Sequence, residues 1–424
     1  MSGNGFEVTA SGKRAMVMLD ALGAISDAPD NLTRLYLSPA HRRAAQQVRA
    51  WMEEAGCAAH IDAAGNVVGR YGPADGPVLY CGSHIDTVID AGRFDGALGV
   101  VAAILAVEAL ASRGATLPFA IEILAFGDEE NVRFPTSLSS TRAIAGGYDP
   151  RWLDVCDGDG VTLAEALRDF GGDPALIGQL ARDPVQALGY LELHIEQGPV
   201  LERADLPVGI VTAIAAAYRA DCVLRGEAGH AGTVPMGLRR DALAGAAEMI
   251  AAIEAIGARH EGGVATVGRV AAVPGAVNVI PGEVRFSIDA RAPSDAMLAT
   301  MLAEIDAACG EFARRRGLDF AQAPFMRAPA TPMALPLQQA LADAARAVTG
   351  QAPMIASGAG HDAVAMAQLC PVGMLFVRCA AGISHNPAES VTPEDAGIAV
   401  AVLVAAIEAS ASGHGNQITE PPAA

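Results

Sequence analysis

Five short polar motifs carry the side chains whose types and spacing suit catalysis. Each motif lies beside a predicted strand end or helix start, where α/β proteins place their sites. The candidate side chains are His84 and Asp86 in GSHIDT, Asp95 in RFDG, Glu129 and Glu130 in GDEE, His194 in LHIEQG, and His385 in GISHNP.

Each motif also has a plainer interpretation when it is taken alone. His84 and Asp86 could form a surface pair, and Asp95 could cap the apolar helix that follows it, since Asp is a favoured N-cap residue. The acidic GDEE run could be a solvated loop. A single histidine beside a strand is more often structural than a ligand.

Taken together, the motifs indicate a metal centre. His84, Asp95, Glu130, His194 and His385 supply five nitrogen and oxygen ligands, which suits two ions that share one bridging carboxylate. Such ligands favour zinc, manganese, cobalt or nickel over calcium. Two ions of this kind lower the pKa of a water molecule between them. The spare carboxylate, Glu129, could then accept a proton from that water.

The elements that must position these motifs alternate between helix and strand. We predict helices at residues 11–25 and 39–55, a long apolar helix at 96–112, and a buried strand at 119–126. The pattern favours an α/β sandwich around a largely parallel or mixed sheet.

A segment with a different pattern interrupts this α/β chain. Its predicted order is β-α-β-β-α-β, the order of a ferredoxin-like unit. We therefore divide the chain into a first catalytic part (1–214), an insert (215–327), a second catalytic part (328–411) and a disordered tail (412–424). The elements of the insert are strand 218–226, helix 239–258, strands 264–273 and 283–292, helix 294–316 and strand 318–324.

Composition narrows the possible partners. A net charge of −19 disfavours nucleic acid and anionic membranes. The seven cysteines are odd in number and form no CxxC motif, which indicates a reducing compartment. The first residues lack an apolar segment, and the apolar runs 96–110 and 396–407 are too short to span a bilayer. We expect a cytoplasmic protein.

Eight motifs, in order, resemble one known family over residues 10–410. They are HIDT, FDG, GDEE, HIEQGPVLE, GEAGHAGTVPM, AVNVIPG, SGAGHDA and GISHNPAE. The resemblance is to the hydantoinase/carbamoylase branch of the zinc aminoacylase/carboxypeptidase superfamily. It implies a two-metal aminopeptidase/phosphorylase-like α/β/α sandwich with an inserted ferredoxin-like lid and dimerisation domain.

The resemblance also implies roles for the candidate residues. His84, Asp95 and His194 would bind one of two divalent ions per subunit, and Asp95, Glu130 and His385 the other. Asp95 would bridge the ions, and zinc or manganese would be the metal, with cobalt and nickel as alternatives. Glu129 would be the general base. The spacing itself suggests that Asp86, two residues after His84, accepts the other imidazole N–H and so assists catalysis by orienting that ring.

Substrate contacts follow from the same resemblance. Gln197, Gly360 and His361 would contact the ureido group, and Asn278 and Arg291 the carboxylate. His230 would reach the active site of a partner subunit and stabilise the developing oxyanion there, which implies a homodimer through the insert. Hinges near 213–216 and 327–331 would let the insert close as a lid.

The function implied is metal-dependent hydrolysis of a C–N bond in a small ureido or carbamoyl acid. Allantoate is the favoured substrate, and an N-carbamoyl-L-amino acid is the main alternative. Ureidoglycolate hydrolysis and an aminoacylase or dipeptidase activity are further alternatives. His194 stands where peptidases of the superfamily usually carry a carboxylate, which favours the amidases. A non-catalytic binding protein would be expected to lack ligands or the base.

Overall fold

Residues 7–413 are described by a computed structural model. They group into two compact units. Among the described residues, the main unit comprises 7–212, 333–355 and 361–413, and the inserted unit comprises Ala213–Pro332 and Ala356–Gly360. The predicted tail lies outside the described residues, except that the last helix runs to Gly413.

Helices and strands alternate along most of the chain. The helices are α1 (Val8–Gly23), α2 (Pro39–Glu54), α3 (Ala97–Ser112), α4 (Ser139–Ala145), α5 (Leu163–Phe170), α6 (Val200–Ala204), α7 (Ala242–Arg259), α8 (Asp295–Arg316), α9 (Leu335–Thr349), α10 (Ala363–Met366) and α11 (Pro393–Gly413). The strands are β1 (Ala58–Ile61), β2 (Val67–Tyr71), β3 (Val78–His84), β4 (Ala120–Phe126), β5 (Ala187–Ile195), β6 (Val208–Ile214), β7 (Ala216–Arg225), β8 (Gly229–His230), β9 (Val264–Thr266), β10 (Val270–Val273), β11 (Val279–Ile280), β12 (Glu283–Ala292), β13 (Asp319–Ala328), β14 (Thr331–Pro332), β15 (Met354–Ser357) and β16 (Val372–Val377).

A mixed sheet forms the centre of the main unit. Its strand order is β1–β2–β4–β3–β5–β16–β6, and β15 also pairs with β6. The four strands β4, β3, β5 and β16 are mutually parallel, whereas β2 and β6 run antiparallel to them. The parallel strands therefore end at one edge of the sheet. This arrangement confirms the predicted α/β sandwich with a mixed sheet.

Burial explains why these segments adopt their structures. Every residue of β3 and of β4 is buried, as expected for parallel strands covered on both faces. α3 is buried along most of its length, which accounts for its lack of a polar face. α2 begins as predicted, with Pro39 in its first turn and the Ser38 hydroxyl accepting the His41 N–H.

The sheet of the inserted unit has the strand order β10–β12–β7–β13 and is antiparallel. Its buried face packs against α7 and α8. The single strand predicted at 264–273 is wrong, because the chain forms β9 and β10 separately and both pair with β12. A two-stranded ribbon, β8 with β11, is also present and was missed because each strand has only two residues.

No helix in the described part of the chain is long and apolar enough to cross a membrane.

The close approach of α3 to the central sheet generates a stability prediction. A Cβ added at Gly99 would lie 2.1 Å from the Leu193 carbonyl oxygen, whereas one added at Gly310 in α8 would meet nothing within 4 Å. We expect Gly99→Ala to lower the free energy of unfolding by about 1–3 kcal/mol, since the backbone must move. Gly310→Ala is the matched helical control and should raise it by about 0.5–1 kcal/mol. Urea denaturation measures both, and equal effects of the two substitutions would contradict the close approach.

Candidate metal centre and active site

Three histidines and two carboxylates from distant parts of the sequence meet in the main unit. Asp95 Oδ1 lies 3.5 Å from His84 Nε2 and 3.0 Å from His194 Nε2. Asp95 Oδ2 lies 3.5 Å from His385 Nε2, which is also 3.4 Å from Glu130 Oε2. The ligand atoms within each of these two sets all lie within 4.8 Å of one another, and Asp95 belongs to both sets.

The ends of the parallel strands bring these side chains together. His84 is the last residue of β3, and His194 is the penultimate residue of the adjacent strand β5. The two imidazole rings are consequently 5.7 Å apart between centroids. Asp95 lies in the turn before α3. Gly96 completes that turn with φ of 63°, and a Cβ there would lie 2.5 Å from the His84 ring. This position therefore requires glycine.

Backbone carbonyls fix the tautomers of two of these imidazoles. His84 Nδ1 lies 3.1 Å from the Asp86 carbonyl oxygen, and His194 Nδ1 lies 3.0 Å from the Ile195 carbonyl oxygen. A carbonyl only accepts hydrogen bonds, so each Nδ1 carries a proton, and in the neutral imidazole the lone pair is then on Nε2. Both Nε2 atoms face Asp95, which is the orientation that a metal ligand needs.

Asp86 contacts both His84 and the loop that carries the two glutamates. Its carbonyl oxygen lies 3.1 Å from His84 Nδ1, and its carboxylate lies 3.4 Å from the same nitrogen. The carboxylate also accepts the backbone N–H groups of Glu129, at 3.2 Å, and Glu130, at 3.1 Å. Asp86 thus holds the loop that presents both glutamates.

Negative charge accumulates around this cluster. Burial raises the pKa of Glu129 well above its ordinary value, and the neighbouring Glu130 raises it further. Burial likewise raises the pKa of Glu130 to about 8, with added contributions from Asp95 and Asp86. Carboxylates gathered in this way need nearby positive charge to stay ionised, and divalent cations supply it. The donor set of imidazoles and carboxylates therefore fits zinc- or manganese-type ions.

Two residues that sequence reasoning missed support the shared carboxylate. Glu389 Oε1 accepts the N–H groups of Phe94, at 2.7 Å, and Asp95, at 3.0 Å. The Ser384 hydroxyl donates to Asp95 Oδ2 at 2.7 Å. Both residues lie in the GISHNPAES segment around His385. Their closeness in sequence to a candidate ligand was the signal that could have identified them.

Gln197 and His361, two of the predicted substrate contacts, lie beside the cluster of candidate metal ligands. Gln197 Nε2 donates to Asp95 Oδ2 at 2.9 Å, and its Oε1 has no hydrogen-bond partner among the described residues. The His361 ring lies 4.5 Å from that of His194. Burial lowers the pKa of His361 well below its ordinary value, so the ring is neutral. Gly360 precedes His361 in sequence but groups with the inserted unit.

The other predicted contacts lie in the inserted unit. His230 and Asn278 are close together, because His230 pairs with Val279 and the Ala231 N–H donates to the Asn278 carbonyl at 2.9 Å. His230 is exposed. Arg291 lies on β12 and binds Asp289 through Nε at 2.9 Å.

Comparison with known proteins agrees with the sequence resemblance. The family model described as peptidase family M20/M25/M40 matches residues 80–409. An allantoate deiminase of Arabidopsis thaliana is 39% identical, over 93% of this chain and 81% of its own. An N-carbamoyl-L-amino acid amidohydrolase of Geobacillus stearothermophilus is 39% identical, over 92% of this chain and 97% of its own.

A solved structure supports the same grouping. It is an amidase of the hydantoinase/carbamoylase family from Burkholderia multivorans, 34% identical, with a TM-score of 0.88 over 94% of this chain and 98% of that one. The resemblance stated from the motifs is therefore confirmed. This chain belongs to peptidase family M20/M25/M40, and its relatives within that family include hydantoinase/carbamoylase amidases.

Proposed function

We propose that this protein is a metal-dependent amidohydrolase that cleaves a C–N bond in a small ureido or carbamoyl acid, with allantoate as the favoured substrate. One observation carries the proposal. Two sets of candidate metal ligands share Asp95, and Glu129, which belongs to neither set, lies on the adjoining loop that Asp86 holds. An N-carbamoyl-L-amino acid is the second candidate, because a relative of that activity is as similar as the allantoate deiminase.

Two divalent ions per subunit, zinc or manganese, are the proposed cofactors. His84, Asp95 and His194 would hold one, and Asp95, Glu130 and His385 the other. Bound ions of this type polarise a carbonyl oxygen and lower the pKa of a water molecule. Gln197 supports binding of the substrate's ureido group, since its Oε1 is available to accept an N–H.

The protein's own acid–base chemistry centres on Glu129. Its carboxylate accepts a proton from the attacking water, whose oxygen forms a bond to the carbamoyl carbon. The same proton then passes to the leaving nitrogen as the C–N bond breaks. Ammonia or an amine leaves, and a carbamate product would lose carbon dioxide. Asp86 positions Glu129 for this transfer through the hydrogen bond to its backbone N–H.

We also propose that the inserted unit is a lid and carries the substrate contacts Asn278 and Arg291. His230 would act in the partner subunit of a homodimer. Exposed apolar side chains near the His230 ribbon support such an interface, since Met236 is 77%, Leu238 75% and Val277 fully exposed. The free cysteines support a reducing, cytoplasmic location.

A substrate panel tests the proposed function. We expect ammonia release from allantoate in the presence of manganese or zinc, with weaker or no release from ureidoglycolate and several N-carbamoyl-L-amino acids. Faster turnover of the carbamoyl amino acids would select the second candidate. Activity confined to dipeptides or N-acetyl amino acids would contradict both.

Glu129→Gln tests the proposed base. The amide keeps the shape of the side chain but cannot accept the proton, so we expect kcat to fall by about 10²–10⁴-fold. Metal content, measured by elemental analysis, should match that of the unsubstituted protein, because Glu129 belongs to neither ligand set. An active Glu129→Gln protein would show that another group takes the proton.

Metal removal tests the ligand assignment. Dialysis against a chelator should abolish activity, and manganese or zinc should restore it. The thermal unfolding midpoint should also fall, because ions bound at 100 times their Kd stabilise the folded state by about 2.7 kcal/mol. His385→Ala should retain about one ion per chain, since His385 belongs to only one of the two sets. A full metal complement in His385→Ala would contradict its assignment as a ligand.

A further inference from the structure

The two sets of candidate metal ligands differ in how firmly the fold holds them. His84 and His194 are buried at the ends of β3 and β5, and Asp95 is buried in the turn before α3. In the second set, the His385 side chain is 50% exposed and lies on the loop between β16 and α11. Packing therefore fixes the first set, whereas other contacts must hold His385 beside Asp95.

Glu389 joins the loop that carries His385 to the turn that carries Asp95. Its backbone N–H donates to the Asn386 carbonyl oxygen at 3.0 Å, which closes a turn next to His385. Its side chain reaches the turn before α3, where Oε1 accepts the N–H groups of Phe94 and Asp95. One carboxylate therefore ties an exposed ligand to the backbone of the ligand that both sets share.

The turn before α3 lies tightly against this carboxylate. A Cβ added at Gly92 would overlap the Glu389 side chain, so the turn has no room for a larger residue there. Glu389 is 3% exposed, and its Oε2 has no hydrogen-bond partner among the described residues. Burial of a carboxylate with one oxygen unpartnered costs free energy. The protein keeps the group despite this cost, which indicates that its contacts with the turn matter to the site.

We propose that Glu389 is a positioning residue for the ion of the Asp95, Glu130 and His385 set. It holds the backbone of Asp95 at a fixed separation from His385, so that both side chains can bind the same ion. The inference deepens the proposed function and rests on it for the presence of metal. Loss of a group that orients metal ligands typically lowers metal affinity or activity by about 10–100-fold.

Metal titration of the full chain, after a chelator has removed bound ions, tests this proposal. Zinc is the probe, and calorimetry measures the number of ions and their Kd values. We expect Glu389→Leu to raise the Kd of one ion at least about tenfold and to leave the other within about threefold, because the sheet holds His84 and His194. Glu389→Gln should keep both ions, since its amide oxygen can still accept the two N–H groups.

Gly92→Ala is a second variant, for the case in which Glu389→Leu does not fold. It keeps the carboxylate in the chain but displaces it from the turn, so the same ion should be weakened. Glu202→Leu is the matched control. The exposed Glu202 carboxylate accepts the Ala381 N–H at 3.0 Å in the segment before His385, and within the described residues it makes no hydrogen bond to the Asp95 turn.

Hydrogen exchange of the Phe94 and Asp95 amides gives a readout that does not depend on metal. Exchange should be at least about tenfold faster in Glu389→Leu than in Glu389→Gln or Glu202→Leu, because an amide that loses its acceptor exchanges more readily. Unchanged Kd values in both Glu389→Leu and Gly92→Ala overturn the proposal. An equal loss of affinity in Glu202→Leu or in Glu389→Gln overturns it too.

Failure of this proposal can be told apart from failure of the proposed function. Selective weakening of one ion in a chain that hydrolyses no ureido or carbamoyl acid contradicts the proposed function and leaves the role of Glu389 standing. In a chain that binds no divalent ion the proposed function fails, and the exchange rates alone decide whether Glu389 holds the Asp95 turn.

Discussion

The structure depends on how it offsets negative charge concentrated at one end of a buried sheet. Asp95 and Glu130 belong to one set of candidate ligands, and Glu129 is the residue before Glu130. The Asp86 carboxylate binds the backbone of the loop that carries both glutamates. Like charges in such surroundings raise one another's pKa values, and the raised pKa values of Glu129 and Glu130 follow that rule. Only closely placed positive charge keeps these groups ionised, so the site is organised around the sharing of Asp95 between two sets of donors.

A buried arginine, Arg34, holds the loop next to this cluster in place. Arg34 is 1% exposed, and its guanidinium donates to the Ile85 carbonyl at 2.6 Å and to the Leu22 carbonyl at 2.7 Å. Its contacts join the end of α1 to the loop between His84 and Asp86. Burial lowers the pKa of Arg34 to about 10, and the negative charge of Asp86 opposes that shift. Arg34 therefore stays charged near neutral pH and stabilises the loop without occupying the space between the ligands.

The candidate metal ligands were visible in the sequence because several of them follow the ends of buried parallel strands. The motif at His84 and the motif at His194 end neighbouring strands, and strand burial is visible as unbroken apolar runs. The sharing of Asp95 came from family resemblance, since spacing along the chain does not fix which oxygen faces which imidazole. Sequence reasoning missed Glu389 because its contact with the Asp95 backbone joins positions 294 residues apart. The split of the predicted strand at 264–273 depends on pairing with β12, which a local pattern does not report.

The two units differ in the kind of charged side chain that each brings together. The main unit gathers carboxylates that suit cations, whereas the inserted sheet places Arg219 opposite Asp289 and pairs the two charges. A ladder of facing strands suits that second task, because directly opposed side chains hold each other at a fixed separation. Arg291 also donates to both carboxylate oxygens of Asp289, so two guanidinium groups hold this one carboxylate. In a chain whose net charge is −19, such locally ordered pairs decide where positive charge is held, because the overall field is negative.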